Sequence, residues 1–386
     1  MSKEDPSCGR EIQSQRVAFP LQQEKKSAMP LSLVDHILKL TPYSEMAGDL
    51  HPWQSALISL AIVFVATIAA ETIYRRATRP PFRPAGKLCL VTGGSTGLGK
   101  ALATSLVASG ADVVIVARRQ SELSAAVKEM ELLFHPIILH VDRQTKKKNA
   151  SQIVAAISAD VTSKTDIVRI FDETRSKMNR DPDYVFACAG ASFPKMFVDH
   201  DMEDFEFLVN LNYLGQTYIA HQATKRMIES NIKDGKIVFV SSILGLMSFA
   251  GWSTYSPTKY AVRGLADTLR NELQRYNINI HIFYPGTIFT PGFETENQTK
   301  PQITRDIEGN NAGQTPEECA RSLIKGLEAG QYAITTDFLT ELLRTVGRGV
   351  SPTNGFFSDW IMSGVGWIVS SGFTFYMDYV VKNAKN

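Results

Sequence analysis

Cysteine is scarce in this sequence of 386 residues, and its placement excludes two common kinds of site. The four cysteines lie far apart, without CxxC spacing, at Cys8, Cys89, Cys188 and Cys319. They are too few and too scattered for the disulfide framework of a small secreted protein, so we expect reduced thiols facing the cytosol. The seven histidines form no HExxH pattern, and no metal site is predicted.

Net charge is also small. Lys and Arg number 41 and Asp and Glu number 39, which leaves a formal charge of +2. Such a balance supplies no basic surface for a phosphate backbone, so no nucleic-acid partner is predicted. Hydrophobic residues make up 44% of the chain, which is enough to bury a core.

Two uncharged apolar runs stand out, and the first follows a proline-broken arm at residues 1–52, which we expect to be disordered. Residues 53–74 could form a helix about 30 Å long, the thickness of a bilayer's hydrocarbon. Trp53 and Tyr74 occupy interfacial positions, and arginines follow, so the positive-inside rule places the next domain in the cytosol. We predict a transmembrane helix over residues 53–74, with a buried core helix as the alternative.

The second uncharged run, within residues 355–382, is diluted by glycine and serine. A second membrane crossing, a membrane-embedded hairpin, an interfacial helix and a subunit contact in a homo-oligomer all stay open for it. Among these we favour a membrane-associated segment.

Between these runs, short apolar stretches alternate with helical ones over residues 86–345. The pattern predicts an α/β domain with a doubly wound parallel sheet. Its strands are expected near residues 88–92, 113–117, 153–158, 184–187, 236–240 and 278–284. Residues 134–152 carry three consecutive lysines, which we interpret as a solvated insertion rather than a binding patch.

A glycine-rich turn, TGGSTGLG at residues 92–99, joins the first strand to a helix. Glycines there allow a tight turn and a close approach of the backbone to a pyrophosphate at a helix N-terminus. The spacing of Gly93, Gly97 and Gly99, with Ser95 and Leu98 between them, resembles the TGxxxGxG turn of the short-chain dehydrogenase/reductase family. The resemblance implies a Rossmann-type fold and a dinucleotide cofactor; a simple turn is the alternative.

The end of the second strand selects the cofactor in such folds. An acid there would bind a ribose 2′-hydroxyl, whereas a base accepts a 2′-phosphate. This sequence has Arg118 and Arg119 and no carboxylate at the strand end, which favours NADP over NAD. We expect Arg118 to bind the phosphate with help from Ser95; two solvated arginines are the alternative.

Tyr255 and Lys259 stand at i and i+4 on one helical face. Ser242 precedes the tyrosine by 13 residues and follows an apolar strand, and Asn212 lies further upstream. These positions resemble the family's catalytic tetrad. The resemblance implies that Tyr255 is the acid, that Ser242 binds the substrate oxygen, and that Asn212 positions a relay water. Lys259 is expected to lower the phenol pKa and to bind the ribose.

Three further segments resemble the family's cofactor contacts. Asp160 and Val161 match the adenine-contacting pair, and Gly190 ends an ACAG stretch in place of NNAG. The replacement of both asparagines leaves only Gly190 assigned there. The family's PGxxxT segment is matched by Pro285, Gly286, Ile288 and Thr290.

The resemblance implies an enzyme that reduces a ketone with NADPH. Tethering to a membrane suggests a bilayer-resident substrate, and residues 290–301 are similar to those of family members that reduce a long-chain lipid ketone. We therefore expect a lipid reductase of the endoplasmic reticulum membrane with its catalytic domain in the cytosol. A membrane-bound steroid or retinoid dehydrogenase is one alternative, and a non-catalytic NADPH-sensing interaction protein is another.

Overall fold

The computed structural model describes residues 51–78, 82–138, 152–309 and 313–383. Most of the arm predicted over residues 1–52, and the lysine run of the predicted insertion, lie outside the described residues. Val65–Asn386 form one compact unit, which contains the whole sheet.

Seven parallel strands form one sheet in the order β3-β2-β1-β4-β5-β6-β7. The strands are β1 Leu88–Thr92, β2 Asp112–Ala117, β3 Val154–Ser158, β4 Tyr184–Ala187, β5 Gly235–Val240, β6 Ile278–Tyr284 and β7 Ala333–Thr335. The strand order reverses direction between β1 and β4, which opens a crevice at the carboxyl ends of the strands. The predicted doubly wound parallel sheet is confirmed.

Twelve α-helices are found in the described residues. They are α1 Pro52–Thr78, α2 Gly97–Ala108, α3 Gln120–Ile138, α4 Lys164–Met178, α5 Met202–Leu208, α6 Gly215–Glu229, α7 Ser256–Glu272, α8 Pro291–Thr299, α9 Gln302–Glu308, α10 Pro316–Glu328, α11 Phe338–Gly347 and α12 Phe356–Asn383.

Apolar side chains cover both faces of the sheet. Because side chains alternate along a strand, Leu88 and Leu90 of β1 pack into one buried cluster and Cys89 and Val91 into the other. Strands buried on both faces need a continuous apolar sequence, and for this reason the apolar runs predict the strand positions.

Helix α5 does not end at Leu208 but continues as a π-helical turn over Val209–Leu214 before α6 begins. Single π turns inside helices are rare and are frequent at functional sites. This turn contains Asn212, which is completely buried. No pattern of residues in this segment predicts the π geometry.

Helix α1 includes residues 53–74, for which the sequence predicts a membrane crossing. Across the described ranges, no helix combines the length and apolarity that a membrane span requires. The transmembrane prediction is therefore not confirmed. Glu71 lies inside this segment, and its carboxylate accepts hydrogen bonds from the backbone N–H groups of Phe356 and Phe357 at the start of α12.

The predicted apolar segment at residues 355–382 is the single helix α12. A buried ion pair joins it to α11, because the Arg344 guanidinium donates to both carboxylate oxygens of Asp359, at 3.0 and 2.6 Å. Large apolar side chains elsewhere on α12 are exposed, including those of Trp360, Trp367 and Phe375.

Candidate active site

Four polypeptide segments meet where the parallel strands end. The glycine-rich turn follows β1, the segment with Gly190 follows β4, Ser242 follows β5, and Pro285 follows β6. Carboxyl ends of parallel strands share one edge of a sheet, where open α/β sheets bind their ligands. The sequence-predicted catalytic and cofactor residues therefore gather at this edge.

The glycine-rich turn has no room for side chains. Gly93 has φ of 65°, and a Cβ atom on it would lie 3.0 Å from the backbone of Ala189. A Cβ on Gly99 would collide with the carbonyl oxygen of Gly93. Helix α2 starts at Gly97 without a side-chain cap and without an acidic residue in its first turn. Its free N–H groups and bare backbone fit a dinucleotide pyrophosphate.

The PGxxxT segment lies against this turn. A Cβ on Gly97 would come within 3.0 Å of the Thr290 methyl carbon, and the Thr290 hydroxyl accepts a hydrogen bond from the backbone of Phe293 at 3.1 Å. Gly286 is fixed by a backbone hydrogen bond of 3.1 Å to the Thr336 hydroxyl. Pro285, Gly286, Ile288 and Thr290 thus belong to the wall of the same crevice.

At the end of β2 the two arginines differ. Arg119 forms an ion pair of 2.7 Å with Glu122, whose carboxylate also accepts a hydrogen bond of 3.3 Å from Ser95. Arg118 is exposed, and its guanidinium has no hydrogen bond or ion pair with the described residues. Sequence reasoning missed Glu122, although an acid three residues after Arg119 on a helix is a recognisable pairing.

The residues expected at the adenine are organised by their own loop. The Asp160 carboxylate accepts hydrogen bonds from the Thr162 N–H at 2.9 Å and from its hydroxyl at 2.8 Å. Val161 is buried against Gly215, the first residue of α6. The carboxylate therefore keeps a fixed direction at the end of β3.

Tyr255 and Ser242 are the two hydroxyl groups for which the sequence predicts the proton donor and the substrate-oxygen contact. The Ser242 hydroxyl acts on the phenol of Tyr255 and lowers its pKa. The Ser242 hydroxyl also accepts from the backbone N–H of Leu244 at 3.1 Å, which fixes its position at the end of β5. The Trp252 ring lies 5.5 Å from the Tyr255 ring and covers it.

Lys259 is buried beside this pair. Its ammonium nitrogen lies 5.3 Å from the centre of the Tyr255 ring and donates to the carbonyl oxygen of Val240 at 3.1 Å. Burial lowers the pKa of Lys259 to about 8, although nearby Cys188 raises it. The lysine is therefore charged below about pH 8 and neutral above it.

The expected lowering of the Tyr255 pKa by Lys259 is not what the geometry gives. Burial raises the pKa of this phenol well above its usual range, the charge of Glu296 raises it further, and only the Ser242 hydrogen bond lowers it. The cause is that the phenol is removed from water while the ammonium is directed to Val240. Tyr255 is consequently a protonated phenol near neutral pH.

Asn212 uses its whole side-chain amide. Its Oδ1 accepts from the Ala191 N–H at 3.0 Å, and its Nδ2 donates to the Ala191 carbonyl at 2.9 Å and to the Thr258 hydroxyl at 3.3 Å. A Cβ on Gly190 would lie 3.0 Å from that Oδ1 and 3.6 Å from the Lys259 nitrogen. Asn212, Gly190 and Lys259 are therefore packed as one group.

Gln216 is a further member that sequence reasoning missed. Its amide donates to the carbonyl oxygens of Asn212 at 2.9 Å and Val240 at 3.0 Å, and it accepts from the Val240 N–H at 3.2 Å. It thus connects the π turn to the strand end that accepts from Lys259. In the sequence, only its position four residues after Asn212 indicates that the two residues lie on one helical face.

A second group of charges, on α8 and α9, was also missed. Lys300 is buried and forms ion pairs with Glu296 at 2.9 Å and Glu308 at 2.8 Å. Its ammonium lies over the rings of Trp252 and Phe293, at 5.3 and 5.2 Å. We call Glu296, Lys300 and Glu308 the substrate-side cluster, because the charge of Glu296 acts on the phenol of Tyr255.

Known proteins resemble this chain over most of its length. A 3-ketodihydrosphingosine reductase from Cryptococcus neoformans is 41% identical over 82% of this chain and 90% of its own. The enzyme of that name from Dictyostelium discoideum is 33% identical over 77% of this chain and 87% of its own. A third 3-ketodihydrosphingosine reductase, from Neurospora crassa, is 31% identical over 87% of this chain and 91% of its own.

Solved structures share the fold at lower identity. A short-chain dehydrogenase from Sphingobium yanoikuyae, in complex with NADPH, superposes with a TM-score of 0.54 at 22% identity, covering 64% of this chain and 87% of its own. The family model described as short chain dehydrogenase matches residues 87–301, more than half of the chain. The chain therefore belongs to the short chain dehydrogenase family of oxidoreductases, as its ordered motifs predict.

Proposed function

We propose that this enzyme uses NADPH to reduce 3-ketodihydrosphingosine, also called 3-ketosphinganine, to sphinganine in sphingolipid biosynthesis. The observation that carries the proposal is the convergence of Ser242, Tyr255 and Lys259 at the sheet edge. The choice of substrate is supported by the names of relatives that align with more than three quarters of the chain.

Residues of this chain are available to contact each part of NADPH. The glycine-rich turn and the uncapped start of α2 would hold the pyrophosphate, and the exposed Arg118 would bind the 2′-phosphate with Ser95 beside it. Asp160 and Val161 would lie at the adenine, and residues 285–290 at the nicotinamide end. When bound, NADPH supplies the hydride for the carbonyl carbon.

Tyr255 is the proton donor in this proposal. Its raised pKa keeps the phenol protonated at neutral pH, as an acid must be before it can deliver a proton. Ser242 donates a hydrogen bond toward the oxygen atom that gains negative charge, so two hydroxyls face the same substrate atom. A phenol that holds its proton favours reduction of a ketone over oxidation of an alcohol.

Lys259 and Asn212 support the proton donor. Before proton transfer the Lys259 ammonium is directed to the carbonyl oxygen of Val240 and does not lower the pKa of the phenol. Once the phenol has given up its proton, its negative charge would attract this ammonium, which lies 5.3 Å from the ring centre, and burial strengthens the attraction because water screens less. Lys259 would also bind the ribose hydroxyls. Asn212 fixes Ala191 and lies next to Lys259 across Gly190, a suitable position for orienting a water that returns the proton.

We also propose that the protein works at the endoplasmic reticulum membrane with its catalytic unit in the cytosol. Exposed apolar side chains are distributed along α12, among them Trp360, Trp367, Ile368, Phe375 and Tyr379. An apolar helix surface of this extent is unfavourable in water and is typical of contact with lipid or protein. A long-chain ketone resides in lipid, so lipid is the partner that we propose.

Replacing Tyr255 by Phe tests both the substrate and the acid. Wild-type protein purified in detergent should oxidise NADPH with 3-ketosphinganine and more slowly with ketosteroids or retinal. Tyr255→Phe should retain NADPH binding, measured by fluorescence, but lose reduction by roughly a hundredfold or more, because the proton donor is gone. Unchanged turnover in the variant would refute the assigned acid, and preference for retinal or a ketosteroid would refute the substrate.

The pH dependence should follow Lys259. We expect kcat/KM for the ketone to fall as the pH rises through about 8, because Lys259 loses its charge there. Lys259→Arg serves as the control, since a guanidinium stays charged up to roughly pH 12 and should remove the fall from this range. A fall near pH 8 that persists in this variant would assign it to another group.

Arg118→Ala should change cofactor preference. We expect the KM for NADPH to rise by about tenfold or more while that for NADH stays nearly constant, because only NADPH carries the 2′-phosphate. Arg119→Ala is the matched control and should have a smaller effect, since that guanidinium is paired with Glu122. Equal changes in both KM values for Arg118→Ala would argue against a phosphate contact.

Membrane association is tested by replacing the most exposed apolar side chains of α12 with serine, at Trp360, Trp367, Ile368 and Phe375. Flotation with phospholipid vesicles should weaken by about tenfold or more, because burial of each large side chain is worth roughly 1.5–3 kcal/mol. A control variant carries serine at exposed apolar positions elsewhere, at Leu132, Val168, Ile228 and Tyr276. Equal flotation of the α12 variant and wild type would contradict lipid contact by this helix.

A further inference from the structure

The substrate-side cluster carries more negative than positive charge. Within the cluster, Glu296 and Glu308 both pair with the ammonium of Lys300. Lys300 is buried and enclosed by the rings of Trp252 and Phe293, so its charge is directed inward. With both acids ionised, the cluster keeps one net negative charge beside the reactive hydroxyls.

Glu296 is the residue of the cluster whose negative charge acts on the site. Its side chain is 16% exposed, whereas that of Lys300 is 3% exposed. Ser192 donates a hydrogen bond of 2.6 Å to the second carboxylate oxygen, and Ser192 adjoins Ala191, the residue that Asn212 fixes. The carboxylate is therefore held between helix α8 and the wall that carries Gly190. It lies near Tyr255, because the Lys300 ammonium with which it pairs lies over the Trp252 ring, and that ring is 5.5 Å from the Tyr255 ring.

Each oxygen of Glu296 has one partner in the described residues, Lys300 on Oε1 and Ser192 on Oε2. A carboxylate offers about four acceptor positions, so both oxygens can accept another hydrogen bond. Burial makes an added positive charge more favourable at this position than it would be in water. The group that fits is a cation, small enough to approach while Tyr255 binds a neighbouring oxygen.

We propose that Glu296 determines specificity by binding the ammonium group of a long-chain 2-amino-3-ketone. The inference rests on the proposed function, in which Tyr255 and Ser242 bind the carbonyl oxygen. The proposed substrate bears its amine on the carbon next to that carbonyl, so the two groups need two sites close together. Tyr255 serves the oxygen, and Glu296 serves the amine.

This assignment explains how the site separates its substrate from other apolar ketones. A ketone without an amine would leave the charge of Glu296 without its extra partner after water is expelled. Steroid and retinoid carbonyl compounds have no such amine. The same fold can therefore reject them through one carboxylate rather than through the shape of the chain pocket.

The test compares two ketones in wild type and in Glu296→Gln. One is 3-ketosphinganine, and the other has the same chain and the 1-hydroxyl but no amine. Wild type should prefer the amino ketone, and Glu296→Gln should reduce that preference in kcat/KM by roughly tenfold to a hundredfold, the range for a lost hydrogen bond between charged groups. Glu308→Gln is the matched control, because it removes a carboxylate from the same lysine but leaves Glu296 in place.

Equal loss on both ketones in Glu296→Gln, or an equally large change of preference in Glu308→Gln, would overturn the inference. Glu296→Asp, which keeps the charge, should retain the preference even if Glu296→Gln folds poorly. A binding measurement tests the same contact without turnover. Wild type should bind sphinganine more tightly than its N-acetyl derivative, and Glu296→Gln should lose this difference in affinity. Wild type that reduces neither ketone would refute the proposed function, whereas equal reduction of both would refute only the role of Glu296.

Discussion

The ammonium group of Lys259 has to be held in a nearly dry place, and much of the site is arranged around that requirement. Burial lowers its pKa to about 8, so its charge depends on groups that accept hydrogen bonds from it. The accepting group is the carbonyl oxygen of Val240, at the last residue of β5. Gln216 fixes both the N–H and the carbonyl of Val240 and reaches back to Asn212. A strand end, a π turn and a helix are thus connected through one amide side chain.

Tyr255 and Lys259 are shifted in opposite directions by the same burial. Removal from water disfavours the charged form of each, so the phenol keeps its proton more strongly and the ammonium holds its proton less strongly. The two pKa values therefore move apart, because that of the phenol rises above its usual range while that of the ammonium falls to about 8. The site is prepared as a neutral acid beside a weakly held positive charge, which suits delivery of a proton to a newly formed alkoxide.

Features written in consecutive residues could be predicted from the sequence, and features made by distant residues could not. Six of the seven strands and the turn at Gly93, Gly97 and Gly99 depend on local patterns, and they lie where expected, whereas the short strand β7 was not predicted. Glu296 is 41 residues from Tyr255. It lies in the segment 290–301 that resembles lipid-ketone reductases, but no local pattern indicates that its charge acts on that phenol. The sign of the Tyr255 pKa shift also escaped prediction, because it depends on burial rather than on the presence of a nearby lysine. No residue pattern predicts that the helix forms a π turn at Asn212.

The exposed helix α12 and the substrate-side cluster are physically linked. The hydroxyl of Tyr376 on α12 donates to the carbonyl oxygen of Asp306 at 3.0 Å, and Asp306 stands two residues before Glu308 on α9. On the proposed function, an amphiphilic ketone brings a charged head and an apolar chain. The head belongs beside Glu296 and Tyr255, where charge is compensated, and the chain belongs on an apolar surface, where water is excluded. Because α9 carries Glu308 of the cluster and contacts α12, one short helix lies between the site proposed for the head and the surface proposed to face lipid.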